Sequence, residues 1–189
     1  MAIWVTSDLH FNHKNIIQLC RPQFESIEQH NQTIVDRYNE VVGKDDLVYI
    51  LGDVGFTPAS ALSEWVQKLN GRKILLIGNH DKLTDGEYRK MGFIEVVRHP
   101  IYFSTRVILS HCPVQEAYNN PYVFNIHGHI HKGTLLLPNY ININVELTNY
   151  RPVDLKKLDE KIASFDPPNR YQRYGTEWYA EWEKHTENT

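Results

Sequence analysis

Apolar positions along the chain follow two periods. Short apolar runs bounded by glycine and polar residues predict strands at Ile3–Val5, Leu47–Leu51 and Ile74–Ile77. Between them the spacing lengthens to three and four. Ile27, Ile34, Tyr38, Val41 and Val42 stripe a helix that starts at Ser26 and stops at Gly43. Leu62, Trp65, Val66 and Leu69 stripe a second, with Thr57 as N-cap, Pro58 in the first turn and Gly71 past the end. A third, from Thr84 or Asp85 to Met91, closes at Gly92. The pattern then changes. "FIEVV", "IYF", "RVILSH", "VFNIHGH" and "ININVEL" read as consecutive strands, before "VDLKKLDEKIA" turns Leu155, Leu158 and Ile162 to one helical face.

Alternating β and α followed by a run of strands predicts an α/β protein: a single-domain α/β/β/α sandwich with mixed sheets, over residues 1–163. "SFDPPN" then breaks the chain. Residues 164–189 are expected to form an aromatic-rich extension, helical and packed on the domain, because Tyr174, Trp178 and Trp182 recur every four residues.

Composition narrows the class. At 189 residues, with 41% hydrophobic and 23% charged, the chain suits one soluble globular domain. Twenty basic against 23 acidic residues leave a net charge of −3, which argues against a general nucleic-acid-coating surface. Two cysteines, Cys20 and Cys112, support neither a disulfide framework nor a thiolate zinc finger, and a cytoplasmic setting is expected. "MAIWVTSDLH" lacks the basic and long apolar regions of a signal peptide. No run approaches the ~20 apolar residues of a membrane span.

The chemistry gathers where strands end. Asp8 and His10 follow the first strand, Asp53 the second, and Asn79, His80 and Asp81 the third. His111 ends a later strand, and His129 and His131 follow the next. In open α/β folds, ligands gather at the carboxyl ends of strands. Gly52, Gly78 and Gly128 stand beside three of these endings, where glycine lets backbone approach a ligand closely. On an extended segment, period two would put His127, His129 and His131 on one face, suited to a metal ion.

"DLH" (8–10), "GD" (52–53), "GNHD" (78–81), the lone His111 and "GHIH" (128–131) resemble, in order, the motif blocks of calcineurin-like metallophosphoesterases. The resemblance runs from about Ile3 to Leu155, and "SDLHFNHKNI" looks especially like a compact bacterial and viral subgroup. It implies a two-metal centre: Asp8, His10 and His131 on one ion, Asn79, His111 and His129 on the other, and Asp53 bridging. His80 would stand near the leaving group as general acid, while a hydroxide activated by both metals attacks phosphorus. Nitrogen and oxygen donors suit Mn, Fe, Zn, Co or Ni, with Mn favoured. His127 has no role in the family and is read as a buried ring.

The sequence also departs from relatives. Protein phosphatases of the superfamily extend the second block to Gly-Asp-x-x-Asp-Arg-Gly, and the second aspartate orients the catalytic histidine. Here "GDVGFTP" puts Phe56 at that position, so protein-phosphatase activity is disfavoured and the group that orients His80 is open. His13 is a candidate contact for a phosphate oxygen, and Arg21, Lys132 and Arg151 are cationic candidates near the motifs. Cys112 is expected to be a small buried neighbour of His111. The implied function is hydrolysis of a phosphodiester of a small molecule or nucleotide. Phosphomonoesterase and nuclease are the alternatives, and a non-catalytic scaffold of the same fold is disfavoured by the intact ligand set and His80.

Overall fold

The computed structural model describes residues 1–164. The expected tail helix through Tyr174, Trp178 and Trp182 lies outside the described residues. Nine strands and six helices are described in them: β1 (Ile3–Thr6), α1 (Asn15–Leu19), α2 (Ile27–Val41), β2 (Leu47–Ile50), α3 (Ala59–Val66), β3 (Arg72–Leu76), α4 (Asp85–Lys90), β4 (Phe93–Val97), β5 (Ile101–Tyr102), β6 (Val107–Leu109), α5 (Gln115–Asn119), β7 (Phe124–His127), β8 (Tyr140–Asn142), β9 (Val153–Asp154) and α6 (Leu155–Ser164).

The strands form two mixed sheets, ordered β4-β3-β2-β1-β9 and β5-β6-β7-β8. β1 to β4 run parallel, and β9 closes the first sheet antiparallel to β1. In the second sheet β6, β7 and β8 are parallel and β5 is antiparallel. This is the mixed α/β architecture the alternation predicts.

Period two decides which core each strand residue enters. Val48, Ile50 and Leu75 face α2, α3 and α4, packing with Ile34, Tyr38, Leu62, Val66 and Tyr88. Val5, Leu51 and Leu76 face the other way, into a second core with Val107, Leu109, Phe124 and Ile126 of the second sheet. α6 completes that core with Leu155, Leu158 and Ile162, all on one face. The first sheet is buried on both faces, which explains why its strands read as continuous apolar runs.

Helix ends follow side-chain capping. The Ser26 side chain accepts the Gln29 N–H at the start of α2, and Thr84 with Glu87 forms a reciprocal capping box on α4. Pro58 itself takes the N-cap of α3, one residue later than Thr57, so the proline stands outside the first turn. Three short elements escape the periodicity reading: α1, α5 and the two-residue β9. Five residues cannot sustain a helix alone, so α1 and α5 exist through their tertiary contacts.

Candidate metal centre

All parallel strands of both sheets end on one side of the molecule, and the loops beyond them carry the polar residues. The loop after β1 is strained: Asp8, His10 and Asn12 have φ of 59°, 52° and 60°. Left-handed backbone at non-glycine residues costs energy and persists where surroundings over-determine it. Here they do. Asp8 N–H donates to the Gly52 carbonyl (3.0 Å), His10 N–H to Asp53 (2.9 Å) and Phe11 N–H to Val54 (2.9 Å). From the other side the fully buried Arg21 donates to the carbonyls of Asp8 (2.6 Å) and Leu9 (3.0 Å).

The loop after β2 is held from below by Asp81. One of its oxygens accepts the N–H groups of Asp53 and Gly78, both at 2.8 Å, and the other accepts that of Val54 at 3.0 Å. The glycines mark backbone crossings. A Cβ on Gly52 would lie 2.6 Å from Gly78, and one on Gly128 would lie 1.9 Å from Ser7 Oγ. β7 and β1 can therefore deliver His129 and Asp8 to the same point only with glycine at 128.

Two donor sets result. In the first, His10 Nε2 faces His131 Nε2 at 3.2 Å, with Asp8 Oδ1 at 3.8 and 3.9 Å from them and Asp53 Oδ2 at 3.7 Å from His10. In the second, Asn79 Oδ1 stands 2.8 Å from His111 Nε2 and 2.9 Å from His129 Nδ1. The two ring nitrogens are 3.3 Å apart, and Asp53 Oδ2 is 3.5 Å from His111. One carboxylate oxygen of Asp53 thus borders both sets, while its other oxygen accepts the His80 N–H at 2.8 Å.

These separations suit metal ions. Donors at 2.0–2.2 Å from one ion stand about 3.0–3.6 Å apart. Asp8 Oδ1 is buried and has no hydrogen-bond partner, an orphan that a cation would satisfy. The His10 and His129 rings hold protons poorly. Burial, then Arg21 and the neighbouring rings, hold His10 well below the ordinary imidazole value. Burial lowers His129 as well, with His111 adding to it. Burial raises Asp8 to about 6 despite the nearby His111, Ser7 and His129 groups that favour its ionised form. Rings kept neutral, beside a buried carboxylate oxygen with no partner, form a donor set that a divalent cation would complete.

Two ligand-bearing rings are fixed through their other nitrogen. His111 Nδ1 donates to the Leu51 carbonyl (2.8 Å). His131 Nδ1 lies 2.9 Å from Glu146 Oε1, which in turn accepts Arg21 Nε at 2.7 Å. Burial pulls His131 down, but Glu146 outweighs it and the ring sits above its ordinary value.

His80, His13 and Phe56 stand over the first set. The His80 ring centroid is 5.6 Å from His10, 6.1 Å from His13 and 5.8 Å from Phe56. His13 Nδ1 is 3.3 Å from His10 Nδ1. Asp81, its oxygens taken by backbone N–H groups, braces the loops rather than the His80 ring.

Several sequence expectations change. His127, His129 and His131 do not share one extended face, because the chain leaves extended conformation at His129, with φ of 65°. His127 is fully buried, as expected, with Nδ1 on the Gly128 carbonyl (2.8 Å). Cys112 is exposed rather than buried; its sulfur joins His111 and His129 in a group within 4.8 Å. Partial burial, then the Asp53 and Asp8 carboxylates, push its thiol up, so it is a neutral thiol. Arg21 cannot touch a substrate, since it is buried beneath the metal loop. Lys132 donates to the Leu19 carbonyl (3.2 Å), and Arg151 pairs with Glu40 on the surface. The strand expected over "ININVEL" ends at Asn142, and sequence reasoning missed Glu146 because it lies inside that segment, read as strand throughout.

Among the described residues no helix is long and apolar enough to cross a membrane. An uncharacterized protein of Methanocaldococcus jannaschii is 37% identical over 171 residues, spanning 84% of this chain and 92% of its own. The gene 66 protein of Mycobacterium phage L5 is 33% identical over 165 residues, spanning 70% of this chain and 79% of its own. A crystal structure of a protein of unknown function from Aquifex aeolicus superposes with a TM-score of 0.66 at 28% identity, covering 85% of this chain and 98% of that one. The family profile described as calcineurin-like phosphoesterase matches residues 1–185. With strand-end motifs, mixed double sheet and profile in agreement, the chain belongs to the calcineurin-like phosphoesterases.

Proposed function

We propose that the chain hydrolyses phosphate esters at a dinuclear metal centre, with the phosphodiester of a small molecule or nucleotide as the favoured substrate. The observation that carries this is Asp53 Oδ2, which stands 3.7 Å from His10 Nε2 in one donor set and 3.5 Å from His111 Nε2 in the other. A shared carboxylate lets two cations sit close despite their repulsion. Asp8, His10, His131 and Asp53 would hold one ion, and Asp53, Asn79, His111 and His129 the other. Divalent cations there, manganese being favoured, would supply positive charge at the phosphate and an acidified water.

The chain's own groups do the rest. Asp53 Oδ2 stays aimed between the two donor sets because Oδ1 is held by the His80 N–H. The same bond sets the backbone from which the His80 ring reaches over the centre. A protonated His80 would deliver its proton to the departing oxygen, a step typically worth about 10²–10⁴-fold. His13, beside His80 and His10, is the proposed contact for a non-bridging phosphate oxygen. The paucity of cysteine supports a reducing, cytoplasmic setting, and near-neutral charge supports a small substrate over a long polymer.

The test is hydrolysis of a chromogenic phosphodiester against the matching monoester, in manganese, with a chelator control. Chelator-sensitive turnover that prefers the diester is expected, and His80→Ala should lower it by 10²-fold or more while both metals stay bound. Monoester preference would move the substrate class. Turnover by His80→Ala at the wild-type rate would remove His80 as the acid.

A further inference from the structure

The two donor sets are not equivalent, and the difference lies behind the ligands. The first set is deeply placed: Asp8 is 0% and His10 1% exposed. Asn79 and His129 of the second face solvent. Charge divides the same way. Beyond the shared Asp53, the first set contributes the Asp8 carboxylate and the second only the neutral Asn79 amide. The rings differ too. His111 rests on a neutral backbone carbonyl, whereas His131 rests on the Glu146 carboxylate at 2.9 Å. A carboxylate on the far nitrogen fixes the tautomer and raises the basicity of the ligating nitrogen.

Glu146 is itself anchored. Its Oε1 accepts Arg21 Nε at 2.7 Å, and Arg21 donates to the Asp8 and Leu9 carbonyls and to His30 Nε2. His30 Nδ1 is 2.9 Å from Asn31 Oδ1, and Asn31 Nδ2 donates to Asn12 Oδ1 at 2.7 Å. One buried network thus ties the strained Asp8–Asn12 loop to the orientation of His131. Among the described residues no comparable network backs the second set, whose Asn79 and His129 hydrogen-bond within the set itself.

We propose that Glu146, held by Arg21, is the positioning residue that sets the metal affinity of the position formed by Asp8, His10 and His131, making it the tighter of the two. The proposal rests on the two-metal reading above. Asp8, His10 and His131 would hold the tighter ion, whose charge would offset that of Asp8, and the exposed Asn79–His129 side would hold the more exchangeable one.

Manganese binding to the full-length metal-free chain, followed by free Mn(II) in the EPR spectrum, tests this without any turnover. Wild type should show two classes of site. Glu146→Gln keeps the shape and removes the charge; it should weaken the tight class 10–100-fold and leave the loose class unchanged. Asn79→Ala should do the reverse. If Glu146→Gln does not fold, as its metal-free melting curve would show, Glu146→Asp must give the same selective loss. Two classes with the tight one untouched by the Glu146 substitution, or both classes weakened equally, would overturn the proposal and spare the two-metal reading. A wild-type chain that binds one ion or none would overturn both.

Discussion

Gly128→Ala places one methyl group where β7 crosses β1. The added Cβ would lie 1.9 Å from Ser7 Oγ, 2.1 Å from Asp8 Oδ2 and 2.6 Å from Ser7 Cβ. Ordinary contact needs at least about 3.4 Å, so the two segments must part by more than about 1 Å. Ser7 cannot swing away freely, because its hydroxyl donates to the buried Leu51 carbonyl at 2.8 Å. Asp8 Oδ2 is held by the His129 N–H at 3.0 Å. Overpacking costs about 1–3 kcal/mol, and losing the Ser7 hydrogen bond adds about 1 kcal/mol. For a chain of this size that lowers the melting temperature by about 5–15 °C. The same displacement moves Asp8 and His129, which belong to different donor sets, so manganese binding should weaken at both. The assay is a metal-free thermal melt followed by metal titration. Gly86→Ala is the control, since a Cβ there meets nothing within 4 Å; it should be neutral or slightly stabilising. A Gly128→Ala chain that melts within a degree or two of wild type and binds two ions normally would refute the tight crossing.

The remaining predictions concern acid and bracing. Burial, chiefly, lowers buried His127 to about 4 from an ordinary 6.5, and its Nε2 has no partner to accept a new N–H. Its neutral form is favoured in the folded state, so it adds nothing above pH 6.5 and costs stability as pH falls from 6.5 to 4, by about 3 kcal/mol. His127→Asn keeps a donor for the Gly128 carbonyl and removes the titration. Its stability deficit against wild type in metal-free urea melts should shrink by about that amount between pH 7 and pH 4, and a constant deficit would refute the assignment. His30, also lowered to about 4 by burial and then Arg21, should behave alike in a His30→Gln comparison. Asp81→Asn replaces an acceptor of three backbone N–H groups by an amide with one oxygen. It should cost about 2–4 kcal/mol and loosen manganese at the Asp53 bridge, while unchanged urea midpoint and metal affinity would show that the loop stands without it.

The sequence determined what depends on neighbours along the chain. Apolar period two and three-to-four spacing placed the longer elements, because burial of one face is a local pattern that any packing partner rewards. The residues beyond each strand, from Asp8 to His131, were legible because parallel strands deliver their carboxyl ends to one edge. Tertiary structure alone decided the contacts between distant residues. Glu146 meets Arg21 across 125 residues of sequence, and Asp81 reaches back 28 residues to the Asp53 N–H. No local pattern marks such pairs, since any buried charge needs a partner and the sequence does not say which. The parity of His127, His129 and His131 misled for a related reason. Period two holds only while backbone stays extended, and His129 turns left-handed to meet Asp8 and Asn79. α1, α5 and β9 were silent because elements of two to five residues carry too little pattern to read. They are formed by what they pack against, and that becomes defined only when the sheets have closed on each other.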